Sequence, residues 1–177
     1  FITNGARASW VVIFATVDPS AGRAGQRAFV VEKGTPGFSV GRIEKKMGLT
    51  ASETASLLME DCRIPAENLL GGAAGRKEKA GFKAAMSTFD LTRPMVAMMA
   101  VGIGRAAWDR AREVAKEAFS AHPAPREQAL LADLAEARRK MDAARLLCWR
   151  AAWKMDQGQG NTIEASMAKV VAPPAGL

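Results

Sequence analysis

The texture of the chain changes between residues 71 and 81, and no fold of a single class accommodates both halves. Before this point, short runs rich in β-branched and aromatic residues (10–17, 27–32, 38–42 and 55–60) alternate with turns. Asp18-Pro19-Ser20 opens the first long connection, and Thr35-Pro36-Gly37 puts Pro and Gly at the central positions of a type II turn. After Gly71-Gly72-Ala73-Ala74-Gly75 the period becomes helical. Leu130, Leu134, Ala137, Met141, Ala144, Cys148, Ala151 and Met155 recur at spacings of four and three, a seam about 25 residues long. The stretch from Phe82 to Phe119 is rich in Ala, Met and Val. Gly102 and Gly104 would let another backbone approach it, and Pro94 would disturb its first turns without ending it. Ala121-His122-Pro123-Ala124-Pro125 separates the two helices. A third helix starts near Asn161, which caps it while Glu164 reaches back in a capping-box arrangement, and it stops at Pro173-Pro174.

These patterns predict an α+β protein. A partial antiparallel β-barrel-like domain occupies residues 1–75, and an antiparallel α-helical bundle occupies 76–177. One face of the bundle is left uncovered, for further sequence or a partner subunit to fill.

Charge sharpens the division. Residues 1–75 hold 8 basic and 7 acidic groups, and residues 76–177 hold 17 and 11, so the helical half carries almost all of the net +7. Such an excess suits phosphates of a nucleotide cofactor, coenzyme A or nucleic acid, and equally a solvated basic helix face. Cys62 and Cys148 are the only cysteines and His122 the only histidine. Neither a disulfide framework, a zinc site nor a His-rich metal centre is suggested, and a reducing, cytoplasmic setting fits. No apolar run has the length to cross a bilayer.

Phe1-Ile2-Thr3-Asn4-Gly5 and, far downstream, Phe89-Asp90-Leu91-Thr92-Arg93-Pro94 stand in an order and separation that resemble the acyl-CoA dehydrogenase family. Thr35-Pro36-Gly37, Lys46-Met47-Gly48, Arg63-Ile64-Pro65, Asn68-Leu69-Leu70-Gly71, Ala80-Gly81-Phe82, Ala144-Arg145-Leu146-Leu147, Arg150-Ala151-Ala152-Trp153 and Ala165-Ser166-Met167-Ala168-Lys169 extend the resemblance collinearly over most of the chain. The medium-chain members are the ones these motifs suggest. Beginning at Phe1 inside the first motif, the chain reads as an internal piece of a longer enzyme.

The resemblance implies FAD-dependent α,β-dehydrogenation of an acyl-CoA thioester. Phe1 would lie against the flavin with Ile2 beside it, the Thr3 hydroxyl would bond near flavin N5, and Gln128 would meet the cofactor's far end. Asp90, Leu91, Thr92 and Arg93 would face the acyl-CoA, with Gln26 near coenzyme A. Thr92 occupies the position where isovaleryl- and long-chain-type members carry the catalytic Glu, so the base is expected beyond Leu177. The implied partners are an electron-transferring flavoprotein and further copies or paralogues in a homo- or hetero-tetramer. No membrane is implied, and no nucleic acid on the first reading.

The stretch Glu117-Ala118-Phe119-Ser120-Ala121-His122-Pro123 departs from the pattern, lacking the family's Arg followed by Phe-Gly. Two alternatives follow from these features: a flavin-poor structural subunit, or a DNA-binding relative of the alkylation-response branch. Against the latter, the four Trp residues are scattered rather than interleaved with a basic track.

Overall fold

The computed structural model describes residues 1–72, 80–119 and 121–176. The chain divides into two compact units, Phe1–Ala85 and Met86–Leu177. The Gly-rich connection and the boundary expected at residue 75 extend into 73–79, outside the described residues.

The first unit is built from two small antiparallel sheets, with no closed barrel among the described residues. β1 (Ile2–Thr3), β4 (Phe38–Ile43) and β5 (Thr54–Met59) form one, in the order β1-β5-β4, and β2 (Trp10–Thr16) pairs with β3 (Gln26–Glu32) in the other. The β2–β3 register is unbroken from Trp10↔Glu32 to Thr16↔Gln26. Val11 and Val31, directly opposite each other, are buried on one face, whereas Val12 and Phe14 on the other face are exposed, as a two-residue period requires; Ala28, opposite Phe14, is buried as well.

The turn chemistry read from the sequence is present. Asp18 Oδ1 accepts the Ser20 amide at 2.9 Å and starts a 3-10 segment, Pro19–Gly25. The Phe38 amide donates to the Thr35 carbonyl at 3.0 Å, with Gly37 at φ 81. Between Val40 and Ile43 the β4–β5 register slips, and Ser56 Oγ stitches the irregularity by accepting the Arg42 amide at 2.8 Å.

The second unit is helical. Helix α1 (Ala80–Ala118) begins in the first unit and continues into the second, where it packs with α2 (Pro125–Asp156) and α3 (Thr162–Ala175). Its start explains the Ala80-Gly81-Phe82 motif: a Cβ on Gly81 would stand 2.6 Å from the Arg27 Cα, so only glycine lets the helix lie directly on β3. The core of the second unit consists of Ala97, Val101, Ala144, Cys148, Ala168 and Ala172. Small residues dominate it, which brings the helix backbones close. Burial of the Cys148 thiol raises its pKa.

Met141, Ala144, Cys148 and Ala151 of the expected seam are buried, but Leu130 is 46% exposed. Leu146, Trp149 and Trp153 on α2 and Ile163, Met167 and Val170 on α3 are also exposed, giving the uncovered apolar surface that was anticipated.

Two expectations about α3 are corrected. The helix does not stop at Pro173-Pro174 but runs through both to Ala175. The missing amides fall in its last turn, and the fully buried Ala172, together with the Gly176 amide bonded to the Ala172 carbonyl at 3.1 Å, holds that turn in place. Asn161 precedes the helix but makes no side-chain cap, and Glu164 does not reach back to it. Both side chains are engaged elsewhere.

Candidate functional site

In the first unit, β1 pairs with β5 through Ile2↔Ala55 and Thr3↔Thr54. Asn4 then takes φ 57, a left-handed conformation that Asn tolerates better than most residues. The buried Gly5 donates its amide to the Ile2 carbonyl at 3.1 Å. Glu53 fixes this turn by accepting the Ala6 amide at 3.2 Å and the Arg7 side chain at 3.3 Å. Phe1 and Thr3 therefore stand on one side of a short, anchored strand end. Phe1 is 90% exposed and the Thr3 side chain is also open to solvent. Gln26 opens β3 opposite Thr16 and is half-buried.

In the second unit, Asp90, Leu91, Thr92 and Arg93 form one turn of α1 just before the buried Pro94. Arg93 donates to Asp90 Oδ1 at 3.1 Å, an i,i+3 ion pair along the helix. Asp90 has a further partner, because its other carboxylate oxygen accepts the Thr162 hydroxyl at the start of α3. Thr92 Oγ1 donates to the Thr88 carbonyl at 3.0 Å, and Leu91 is 50% exposed.

Pro94 has no amide to give the Asp90 carbonyl four residues earlier, and its ring crowds that carbonyl. Asn161, only 3% exposed, donates Nδ2 to the Asp90 carbonyl at 3.2 Å and to the Ala151 carbonyl at 3.0 Å. An unsatisfied buried carbonyl would cost about 1–3 kcal/mol.

Close by, the buried Glu164 accepts Lys154 Nζ at 2.8 Å with Arg150 at 3.6 Å, and its Oε2 is a buried atom with no hydrogen-bond partner. The Lys154 hydrogen bond is the main reason that the Glu164 pKa lies below its ordinary value of 4.5. A carboxylate so lowered contributes stability above the ordinary value, and the contribution is lost as the pH falls through the native pKa. Lys154→Met is therefore expected to destabilise the protein at neutral pH and to flatten the acid side of its unfolding profile below pH 4.5. Denaturant midpoints measured across that range check this; an unchanged acid slope counts against it.

Gln128 lies in the first turn of α2, where its Nε2 donates to the Pro123 carbonyl at 2.8 Å. Of the departing 117–123 stretch, Ser120 lies outside the described residues. Among the described residues, no cluster of His, Cys, Asp or Glu could hold a metal ion, and no helix is long and apolar enough to cross a membrane.

Residues 1–62 match the acyl-CoA dehydrogenase middle domain, and residues 79–176 match the acyl-CoA dehydrogenase C-terminal domain. The chain belongs to the acyl-CoA dehydrogenase family. It is 43% identical over 173 residues to the acryloyl-CoA reductase (NADH) of Anaerotignum propionicum, covering 97% of this chain and 43% of that relative. It is 42% identical over 173 residues to the short-chain specific acyl-CoA dehydrogenase of Megasphaera elsdenii, covering 97% of this chain and 44% of that one. The solved structure of butyryl-CoA dehydrogenase from Megasphaera elsdenii superposes with a TM-score of 0.86 at 41% identity, covering 99% of this chain and 45% of that chain. This acyl-CoA dehydrogenase chain thus spans under half the length of these relatives, one of which is named as short-chain specific and none as medium-chain.

Ile2 and Thr3 form β1 with Phe1 directly before it, and Asp90 to Arg93 lie together on one helical turn. Asn161, Thr162 and Glu53 support those segments, and the sequence reading gave none of them that role. Pro94 within a helix carried the available signal, since it implies an orphan carbonyl at Asp90 that some donor must meet.

Proposed function

We propose that the parent protein is an FAD-dependent acyl-CoA dehydrogenase that removes hydrogens from the α and β carbons of a short acyl-CoA thioester. The observation that carries this reading is that a chain of this family has, in its first unit, an anchored strand end with Phe1 and Thr3 exposed and, in its second, a helical turn carrying Leu91, Thr92 and Arg93. The residues fit a flavin: an exposed aromatic face and an exposed hydroxyl lie on the same side of β1. FAD, when bound, supplies the hydride acceptor.

Phe1 would pack against the ring system and Thr3 would donate its hydroxyl to it, while Ile2 holds the strand in register with Ala55. Arg93, steadied by Asp90, offers a fixed guanidinium to an anionic part of the substrate. Leu91 gives apolar contact. Gln26 contributes toward coenzyme A. Thr92 carries no group basic enough to take the α-proton, so that role falls to a carboxylate elsewhere in the protein. Electrons leave to an electron-transferring flavoprotein, and the exposed apolar helix faces are covered in a tetramer of like or paralogous subunits.

The test is turnover by the full-length protein of butyryl-CoA against longer acyl-CoAs, with a flavoprotein acceptor. Activity confined to substrates without an acyl thioester would sink the reading.

A flavin-poor structural subunit is the second reading. It is favoured by the 117–123 departure. Purification of the full-length protein without flavin absorbance, together with a paralogous subunit, would decide for it.

A further inference from the structure

We infer that Asn161 is a positioning residue for the turn that meets acyl-CoA, acting from α3 through the Asp90 carbonyl; the inference rests on the reading of Asp90 to Arg93 as a substrate contact. The helix carbonyl at Asp90 is deprived of its ordinary partner by Pro94, and two neutral acceptors, Asp90 O and Ala151 O, converge on one buried side chain. Only an amide NH2 can donate to both at once while remaining uncharged. A Lys or Arg there would bury a charge, and a Ser or Thr has one hydrogen to share.

Thr162, the next residue, donates to the Asp90 carboxylate, so α3 holds the turn by both its backbone and its side chain. Arg93 donates to the same carboxylate. A shift of Asp90 therefore moves the guanidinium that faces the substrate. The Ala151 bond makes α2 the fixed point of this arrangement, because the Asn161 amide spans from α2 to α1. Loosening it leaves the chemical groups in place and blurs where they sit, an effect on substrate binding more than on the rate of the chemical step.

The test uses the full-length, FAD-loaded parent enzyme. Asn161→Ala, and Asn161→Asp, which keeps the volume and removes both donors, are expected to raise KM and the calorimetric Kd for acyl-CoA by about tenfold. Turnover number should stay within about twofold. Adding Pro94→Ala restores an amide at position 94 to the Asp90 carbonyl and is expected to recover most of the lost affinity in the Asn161→Ala background.

A lower thermal midpoint with wild-type KM and Kd in both Asn161 variants would overturn the inference, leaving a purely structural role. Failure of Pro94→Ala to recover affinity would overturn it as well. Arg93→Ala separates the two levels. Unchanged KM in Arg93→Ala removes the substrate-contact reading and this inference with it, whereas raised KM in Arg93→Ala beside unchanged KM in the Asn161 variants removes the inference alone.

Discussion

The 177-residue chain by itself, mixed with FAD, an acyl-CoA and an electron acceptor, is expected to show no flavin reduction above a buffer control. Two physical reasons combine. Abstraction of an α-proton needs a base near neutral pKa, and a positioned one contributes about 10²–10⁴ in rate. At the proposed acyl-CoA contact the side chain is the Thr92 hydroxyl, whose hydrogen is donated to the Thr88 carbonyl at 3.0 Å. Hydride transfer also benefits from a site closed to water. Here Phe1 is 90% exposed and Leu91 50% exposed, so the groups that would face flavin and substrate lie open. Anaerobic bleaching of the flavin absorbance on adding butyryl-CoA is the measurement. Bleaching by the purified chain would show that a base lies within these residues and would overturn the assignment of that role to a later segment.

Two glycines of α1, two positions apart, are expected to respond to alanine with opposite signs. Glycine to alanine inside a helix ordinarily stabilises by about 0.5–1 kcal/mol, because the backbone loses less freedom on folding. At Gly102 a Cβ would meet nothing within 4 Å, so Gly102→Ala should follow that rule. At Gly104 a Cβ would stand 2.7 Å from the Gly176 Cα and 3.0 Å from Met141 Sδ. Met141 can move; the backbone at Gly176 cannot move freely, because a Cβ there would itself stand 2.4 Å from the Ala100 carbonyl oxygen. Overpacking costs about 1–3 kcal/mol, which outweighs the propensity gain. Gly104→Ala should therefore lower the urea midpoint of the full-length protein while Gly102→Ala leaves it unchanged or raises it. Equal shifts in the same direction would show that α1 and the end of α3 do not meet as closely as described.

Much of the fold was legible because its signals are local. The Thr35-Pro36-Gly37 turn follows from the φ preferences of two residues, and the Met141 to Ala151 seam from a period that burial imposes on any helix. The ends of α3 were not legible. Pro173-Pro174 reads as a stop when only the lost amides are counted, yet packing around Ala172 carries the helix past them. Asn161 reads as a cap because Asn before a helical run usually is one. In this protein two distant carbonyls compete for its amide and win, and a single-segment reading cannot see a competitor that arrives from another helix. The family was legible for a different reason, since the order of many weak motifs carries information that no one of them holds. The supporting residues around the turn were hidden because support runs through space: Thr162 and Asp90 are far apart in sequence and share one hydrogen bond.

The bond from Asn161 to the Asp90 carbonyl also links two positions in evolutionary time. A proline at 94 creates a demand that residue 161 meets, so the two cannot drift independently. A lineage that trades Pro94 for a residue with an amide frees half of what Asn161 does. The Ala151 carbonyl still asks for a donor, which a hydroxyl could then supply. Substitution at 161 is therefore expected to follow substitution at 94 and not to precede it, with relatives retaining the proline keeping an amide side chain at the start of this helix.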